Sequence, residues 1–145
     1  MYNVEFMKCK LVKERNCQYD LIQTESDAVD LLFDLGVAES PEECVYVLCL
    51  NCRGEILSVH ETAHGSINEC LMPIRSIFTR ALLCNAATVI VAHNHPSGTP
   101  RPSHEDLLAT EKLRNAGALM AIPVLDHIIL SSNKTYYSFK ENGLI

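Results

Sequence analysis

The sequence predicts an α/β fold of the α+β kind, a mixed sheet flanked by helices in three layers, on two observations. Short and nearly continuous apolar runs, "CVYVLCL" at 44–50 and "ATVIVA" at 87–92, read as strands buried on both faces. They are interspersed with longer amphipathic segments, and two of the strands are flanked by crossover helices, the pattern of a layered α/β fold. The 145 residues suffice for one domain with its own core, expected over 1–145 with 1–24 as an N-terminal strand or arm.

The elements follow in order. Residues 4–12 read as an edge strand, with a polar connector after it. Ser26 opens "SDAVDLLFDLG" as an N-cap, with acids in the first turn, apolar residues at helical spacing and Gly36 as the stop. The loop "ESPEE" leads into the strand over 44–50, "NCRG" turns the chain, and 55–61 returns as a hairpin partner. A helix is expected over 73–86, with Pro73 early, where it is tolerated, and the next buried strand over 88–92. After a Pro-rich loop come a helix over 103–115 ended by Gly117, a strand over 122–130, the turn "SSNK" and a short strand over 135–139.

Composition narrows the function classes. No apolar run reaches the roughly 18 uncharged residues of a membrane span. The N-terminus scatters charges among its apolar residues and has no signal-peptide core, so the expectation is a cytoplasmic protein. The seven cysteines are odd in number and lie mostly in apolar segments, as small core hydrophobes of a reducing compartment do. Cys49 and Cys52 form a C-x-x-C with no second pair at zinc-site spacing; packing is the reading, with redox or metal work the alternative. A formal charge of −6 and a pI near 5.4 argue against a self-sufficient nucleic-acid binder. The basic cluster at 8–15, "KCKLVKER", is short and reads as a solvated edge.

The chemistry concentrates at "HNHPSG", where the apolar run 87–92 ends. Side chains at i and i+2 of an extended segment point the same way, so His93 and His95 project to one side and Asn94 to the other. Pro96, Gly98, Pro100 and Pro102 make a stiff loop that can double back and bring Asp106, in the first turn of the next helix, to the imidazoles. Two neutral imidazoles and a carboxylate suit Zn²⁺ and leave a fourth tetrahedral position for water, the mark of a catalytic rather than structural site. Ser-x-x-Asp at 103–106 is also a capping-box start; Ser103 can cap while Asp106 turns to the metal.

The stretch "HNHPSGTPRPSHED" resembles the metal signature of the JAMM (MPN) metalloproteases, and specifically of their RadC family. "NAATVIVAHNHPSG", "VLDHIIL", "YYSF" and "ENGL" extend the likeness, which covers roughly residues 25–145. The resemblance implies a mixed sheet between helices, related to the deaminase architecture, with zinc held by His93, His95 and Asp106. It implies that Ser103 stabilises the tetrahedral intermediate and that a glutamate from an earlier strand is general base. Glu43, at the start of the buried strand, takes that position; Glu42 would face the other way, and Glu55, Glu61 and Glu69 fall on the hairpin strand or the loop after it. The reaction implied is hydrolysis of a peptide or isopeptide bond, since zinc lowers the pKa of bound water from about 15.7 to near 7.

One departure concerns "PIRSIF". Relatives commonly place an acid after the Arg, whereas Arg75 is followed here by Ser76. Arg75 either anchors a substrate carboxylate or is an ordinary exposed helix Arg. Asp126 and His127 read as a carboxylate–imidazole pair that supports the zinc ligands, or as a buried pair satisfying the strand. His60, His64 and His104 read as solvated. Competing functions are a DNA-repair or recombination accessory with nuclease activity, and a metal-free interaction module. Longer relatives carry an N-terminal helix-hairpin-helix region, expected to be absent here, and the acidic balance argues against autonomous DNA binding. The expected partner is a polypeptide or isopeptide substrate, without a membrane, and the sequence is compatible with a homo-oligomer.

Overall fold

The apolar runs become five hydrogen-bonded strands among the described residues, which are 12, 20–65 and 72–145 of this computed structural model. β1 (Glu43–Leu50) and β2 (Ile56–Gly65) form the expected hairpin, and β3 (Thr88–His95) lies antiparallel on the other side of β1. β4 (Val124–Ser131) runs parallel to β3, and β5 (Tyr136–Ser138) closes the order β2-β1-β3-β4-β5 antiparallel to β4. The parallel pair is joined by the helix α3 (His104–Leu119), as a parallel connection requires.

Strand parity sorts the core into two layers. Val45, Val47 and Cys49 of β1 and Val89 and Val91 of β3 pack with Ile77, Phe78 and Ala81 of α2 (Ile74–Leu83) and Leu113 of α3. The alternate positions Leu48, Leu50, Ile90, Ala92, Ile128 and Leu130 pack with Ala28, Leu31 and Leu32 of α1 (Glu25–Asp34). The result is the expected three-layer mixed sheet. No helix among the described residues is long and apolar enough to cross a membrane.

Several boundaries differ from expectation, each for a local reason. The N-cap of α1 is Thr24 rather than Ser26. A capping box needs an acid at its third helical position, which Asp27 supplies to Thr24 (N–H of Thr24 to Oδ2, 2.8 Å), whereas Ser26 would find Val29 there. Gly36 does end that helix, in the left-handed conformation at φ 76°. α2 stops at Leu83, because Asn85 is left-handed at φ 55° and Ala86 N–H turns back to the Ala81 carbonyl. β2 runs four residues beyond Glu61, held by pairing of His64 with Cys44 and Gly65 with Glu43.

β3 does not end at Ala92; its ladder with β4 carries on through Asn94 opposite Leu130 and His95 opposite Ser131. Gly117 does not terminate α3 but lies buried inside it. A Cβ there would stand 2.7 Å from the Ile122 carbonyl oxygen, so glycine lets the helix approach the chain entering β4. The strand expected over 4–12 and the basic cluster at 8–15 lie outside the described residues but for Val12. Of the described cysteines, Cys44 and Cys49 are buried as expected; Cys84 is half-buried, and Cys52 is exposed, so the C-x-x-C does not pack as a pair. Burial pushes the Cys49 thiol up to about 12, with the Cys84 thiol adding to the effect, which removes thiolate reactivity at neutral pH.

Candidate metal centre

His93 and His95 lie on the last turn of the β3 pleat, on the face covered by α2 and α3. Their Nε2 atoms are 3.0 Å apart. Asp106 enters from the first turn of α3 and sets Oδ1 3.2 Å from His93 Nε2 and Oδ2 3.3 Å from His95 Nε2. Bonds of 2.0–2.1 Å to one tetrahedral ion would space nitrogen and oxygen donors by about 3.3 Å. The two nitrogens are near that spacing, and the carboxylate lies across both of them, Oδ1 toward His93 and Oδ2 toward His95.

The protons are arranged to match. Thr110 Oγ1 spends its hydrogen on the Asp106 carbonyl, one helical turn back (2.7 Å), so toward His127 Nδ1 at 2.7 Å it can only accept. His127 is fully buried, and burial holds its pKa well below the ordinary imidazole value; it is neutral, with Nδ1–H donating and Nε2 accepting. His93 Nδ1–H then donates to His127 Nε2 (2.8 Å), which leaves His93 Nε2 to face His95 Nε2 and Asp106 Oδ1. His95 Nδ1–H donates to the Thr99 carbonyl at 3.1 Å, so its Nε2 likewise faces Asp106. Two ring nitrogens and a carboxylate converge, a donor set that suits a cation.

Burial pushes the Asp106 carboxyl up, but its bonds from His93 and His95 outweigh that and hold it well below the usual carboxylate range. Burial disfavours a charged His95, and the Asp106 carboxylate reverses the balance, so that imidazole is raised. Glu43 reaches the same face from β1, where Val45 pairs with His93. Its Oε1 is 3.8 Å from His93 Nε2, too far for the first layer of donors and close enough to share a water with it. Glu43 groups with His93 and His95 as donors within 4.8 Å of one another, and the Asp106 oxygens lie nearer to both imidazoles, at 3.2 and 3.3 Å. Burial raises the Glu43 carboxyl above its ordinary value, partly offset by the two imidazoles.

The other residues singled out from the sequence separate. Ser103 caps α3, accepting from Asp106 N–H at 3.1 Å, while its own N–H goes to Asp106 Oδ2 at 2.7 Å. The capping box and the ligand geometry thus coexist, one carboxylate serving both. Asp126 and His127 are not a pair: they alternate across β4. Asp126 faces the α1 side, where it accepts from Ser138 Oγ (2.6 Å), Lys140 N–H (3.0 Å) and His127 N–H (2.7 Å). His127 alone supports the centre. Arg75 is exposed and is not among the residues lining the groove beside the centre. Ser76, the departure noted in "PIRSIF", accepts from Arg80 Nη1 (2.5 Å) and donates to the Thr62 carbonyl (3.4 Å), tying α2 to β2. His104 is exposed as expected; His60 is half-buried against Ser58 Oγ (2.9 Å), and exposed His64 is engaged by Glu42 and Glu61.

Two participants escaped the sequence reading. Thr110 lies four residues after Asp106, hence on the same face of α3, a signal that the helical period carries. Asn94 turns to the opposite face and clamps the entry to β1: its Oδ1 accepts Cys44 N–H (2.7 Å), and its Nδ2 donates to the Ser40 (3.1 Å) and Glu42 (3.0 Å) carbonyls. It holds the backbone on both sides of Glu43. Beside the centre runs a groove of about 220 Å³ lined by Glu43, Val45, Met72, Ile74, Leu108 and Lys112, among others.

The profile of the RadC-like JAB domain matches residues 22–144. A UPF0758 protein of Methanosarcina barkeri is 41% identical over 107 residues, 74% of this chain and 46% of that one. A UPF0758 protein of Methanosarcina mazei is 37% identical over 124 residues, 86% of this chain and 53% of that one. One from Burkholderia thailandensis is 42% identical over 118 residues, 81% of this chain and 45% of that one. The chain thus spans about half the length of the curated relatives it matches.

Proposed function

This chain belongs to the RadC-like JAB domain family, and from that premise we propose that it is a zinc-dependent hydrolase of peptide or isopeptide bonds. The observation that carries the reading is the convergence of the His93 and His95 ring nitrogens and the Asp106 carboxylate, with Glu43 held 3.8 Å from His93 Nε2. These residues would hold Zn²⁺, which when bound acidifies water and polarises a carbonyl. Glu43 takes a proton from the attacking water and delivers it to the departing amine; its burial-raised pKa suits both steps. Ser103 Oγ–H remains available to donate to the developing oxyanion, because the cap uses that oxygen only as an acceptor. Val45, Met72, Ile74 and Leu108 give the groove an apolar wall for a side chain next to the scissile bond, with Lys112 at its border as a counter-charge. A polypeptide is therefore the substrate class, and autonomous nucleic-acid binding has no part in this reading.

The test is hydrolysis of a mixed set of peptides and isopeptide-linked conjugates by zinc-loaded protein, read as new amino groups. Glu43→Gln should keep full metal content and lose hydrolysis by about 10²–10⁴-fold, the usual contribution of a general acid–base group. Undiminished hydrolysis in that variant, or none by the zinc-loaded wild type, would overturn the reading.

A further inference from the structure

On the opposite side of β1 from Glu43 stands another group of ligand-type side chains that the proposed reaction does not use. Cys44 on β1 pairs with His64 on β2, and Tyr46 pairs with Glu61; the register shift between Val45 and Tyr46 brings His64 and Glu61, three residues apart, to one side. Cys44 Sγ lies 3.3 Å from His64 Nδ1, and Glu61 Oε1 lies 2.8 Å from the same nitrogen. Sulfur, nitrogen and carboxylate oxygen all fall within 4.8 Å of one another.

We propose that Cys44, His64 and Glu61 form a second divalent-metal site, suited to zinc, on the sheet face away from the His93 centre. The donor types are those of zinc: a thiolate at about 2.3 Å, an imidazole nitrogen at about 2.0–2.1 Å and a carboxylate oxygen at about 2.0–2.2 Å, with a fourth position for solvent. Such bonds space the donors by roughly 3.3–3.6 Å. The sulfur–nitrogen distance of 3.3 Å is about 0.3 Å short of its tetrahedral value, and the Glu61 carboxylate, on a long and part-exposed side chain, must swing out by about half an ångström.

The surroundings fit a ligand set. His64 Nε2 faces Glu42 Oε2 at 2.6 Å, so Nε2–H is held by a carboxylate while Nδ1 is presented to the ion, the carboxylate–histidine–metal arrangement of natural sites. Tyr46 O–H donates to the other Glu61 oxygen at 2.8 Å and orients that carboxylate. The Cys44 backbone is fixed by the Asn94 clamp, so the buried sulfur is placed in advance while the exposed edge of His64 gives an entry path. The Glu61 carboxylate, with Glu42 beside it, raises the His64 pKa. Binding would take Cys44 as the thiolate and His64 as the ring that carries its hydrogen on Nε2, the displaced protons passing to solvent. An ion here would fasten β2 to the start of β1, beside Glu43.

Cobalt(II) alone, titrated into the full chain, separates this site from the first, because only a thiolate ligand gives an intense near-ultraviolet charge-transfer band. The wild type should show that band and bind two zinc ions per chain in a chelator competition. His93→Ala/His95→Ala should keep the band and bind one. Cys44→Ser should lose the band and bind one, and the half-exposed His64→Gln, which leaves the core untouched, should weaken it by tenfold or more in affinity. Absence of the band in the wild type, or its persistence at full strength in both Cys44→Ser and His64→Gln, would overturn the proposal. Loss of the first site in His93→Ala/His95→Ala with the band intact would leave the hydrolase reading and this one independently judged.

Discussion

His93 and Asn94 are neighbours on β3, both buried, and they do opposite work. On the α2/α3 face, His93 spends one nitrogen on His127 and aims the other at a space shared with His95 and Asp106. On the α1 face, Asn94 uses both ends of its amide on backbone groups of Ser40, Glu42 and Cys44. His127 and Asp126 repeat the contrast one strand over: the imidazole passes its bond on toward the centre, while the carboxylate absorbs three donors. A polar group satisfied wholly by the protein is structure. One that spends one atom on the protein and turns the other toward a cluster of donor atoms is placed as a ligand would be. Because successive strand residues alternate faces, the sheet keeps the two roles one residue apart without mixing them.

The largest effect should come from the face where the two imidazoles meet Asp106. His93→Ala/His95→Ala should abolish metal binding at that face outright, measured as the loss of one zinc equivalent per chain by metal analysis after dialysis. Retention of that equivalent would mean that the two imidazoles are ordinary core polar groups, and the contrast with Asn94 would vanish.

Next in size is the support behind His93. Thr110→Val removes the acceptor that fixes His127, so His93 loses its preferred tautomer, and zinc affinity should fall about 10–100-fold, the usual cost of losing an outer partner. Thr110→Ser, which keeps the hydroxyl, should restore it; chelator competition on the folded proteins reads both. Equal affinity in the Val variant would show that the Thr110–His127 contact is packing alone.

How much of this was legible without coordinates follows the same alternation. The histidines and Asp106 could be picked out because period-two and capping patterns are local, and the fold class could be read because buried strands show as unbroken apolar runs. What escaped was set by pairing across distance. Thr110 meets His127 only because α3 returns to lay β4 parallel to β3. The true length of β3 depends on β4, and Gly117 reads as a helix stop until the Ile122 carbonyl is seen beneath it. Asp126 and His127 looked like a pair because they adjoin in sequence, which on a strand is the very reason they separate.

A smaller effect is expected on the satisfied face. Asn94→Ala strips the acceptor from the buried Cys44 N–H and should cost about 1–3 kcal/mol of folding stability. Zinc affinity of the His93 centre should stay within about twofold, since none of its donors touches the amide. Denaturant unfolding and chelator competition measure the two separately. A large loss of affinity with stability unchanged would reverse the assignment of the two faces.

The subtlest effect belongs to Asp126. Burial raises its carboxyl above the ordinary value, and the bonds from Ser138, Lys140 and His127 only partly offset this, as does the positive charge of Lys140, which is itself paired with Glu25 at 2.5 Å. A carboxyl that is a weaker acid in the folded chain binds its proton more tightly there than in the unfolded one. Its contribution to stability is complete below the unfolded value and is lost as pH climbs through the folded value. Asp126→Asn mimics the protonated group, with its carbonyl oxygen able to accept from His127 and Lys140 and its amide able to donate to Ser138 Oγ. The stability of wild type relative to this variant should therefore decline as pH rises from the ordinary carboxylate range through the folded pKa, then level off, with metal affinity equal in the two. A difference that grew with pH would mean that the ionised carboxylate is the favoured form, and that this face, too, keeps charge in reserve for something outside the chain.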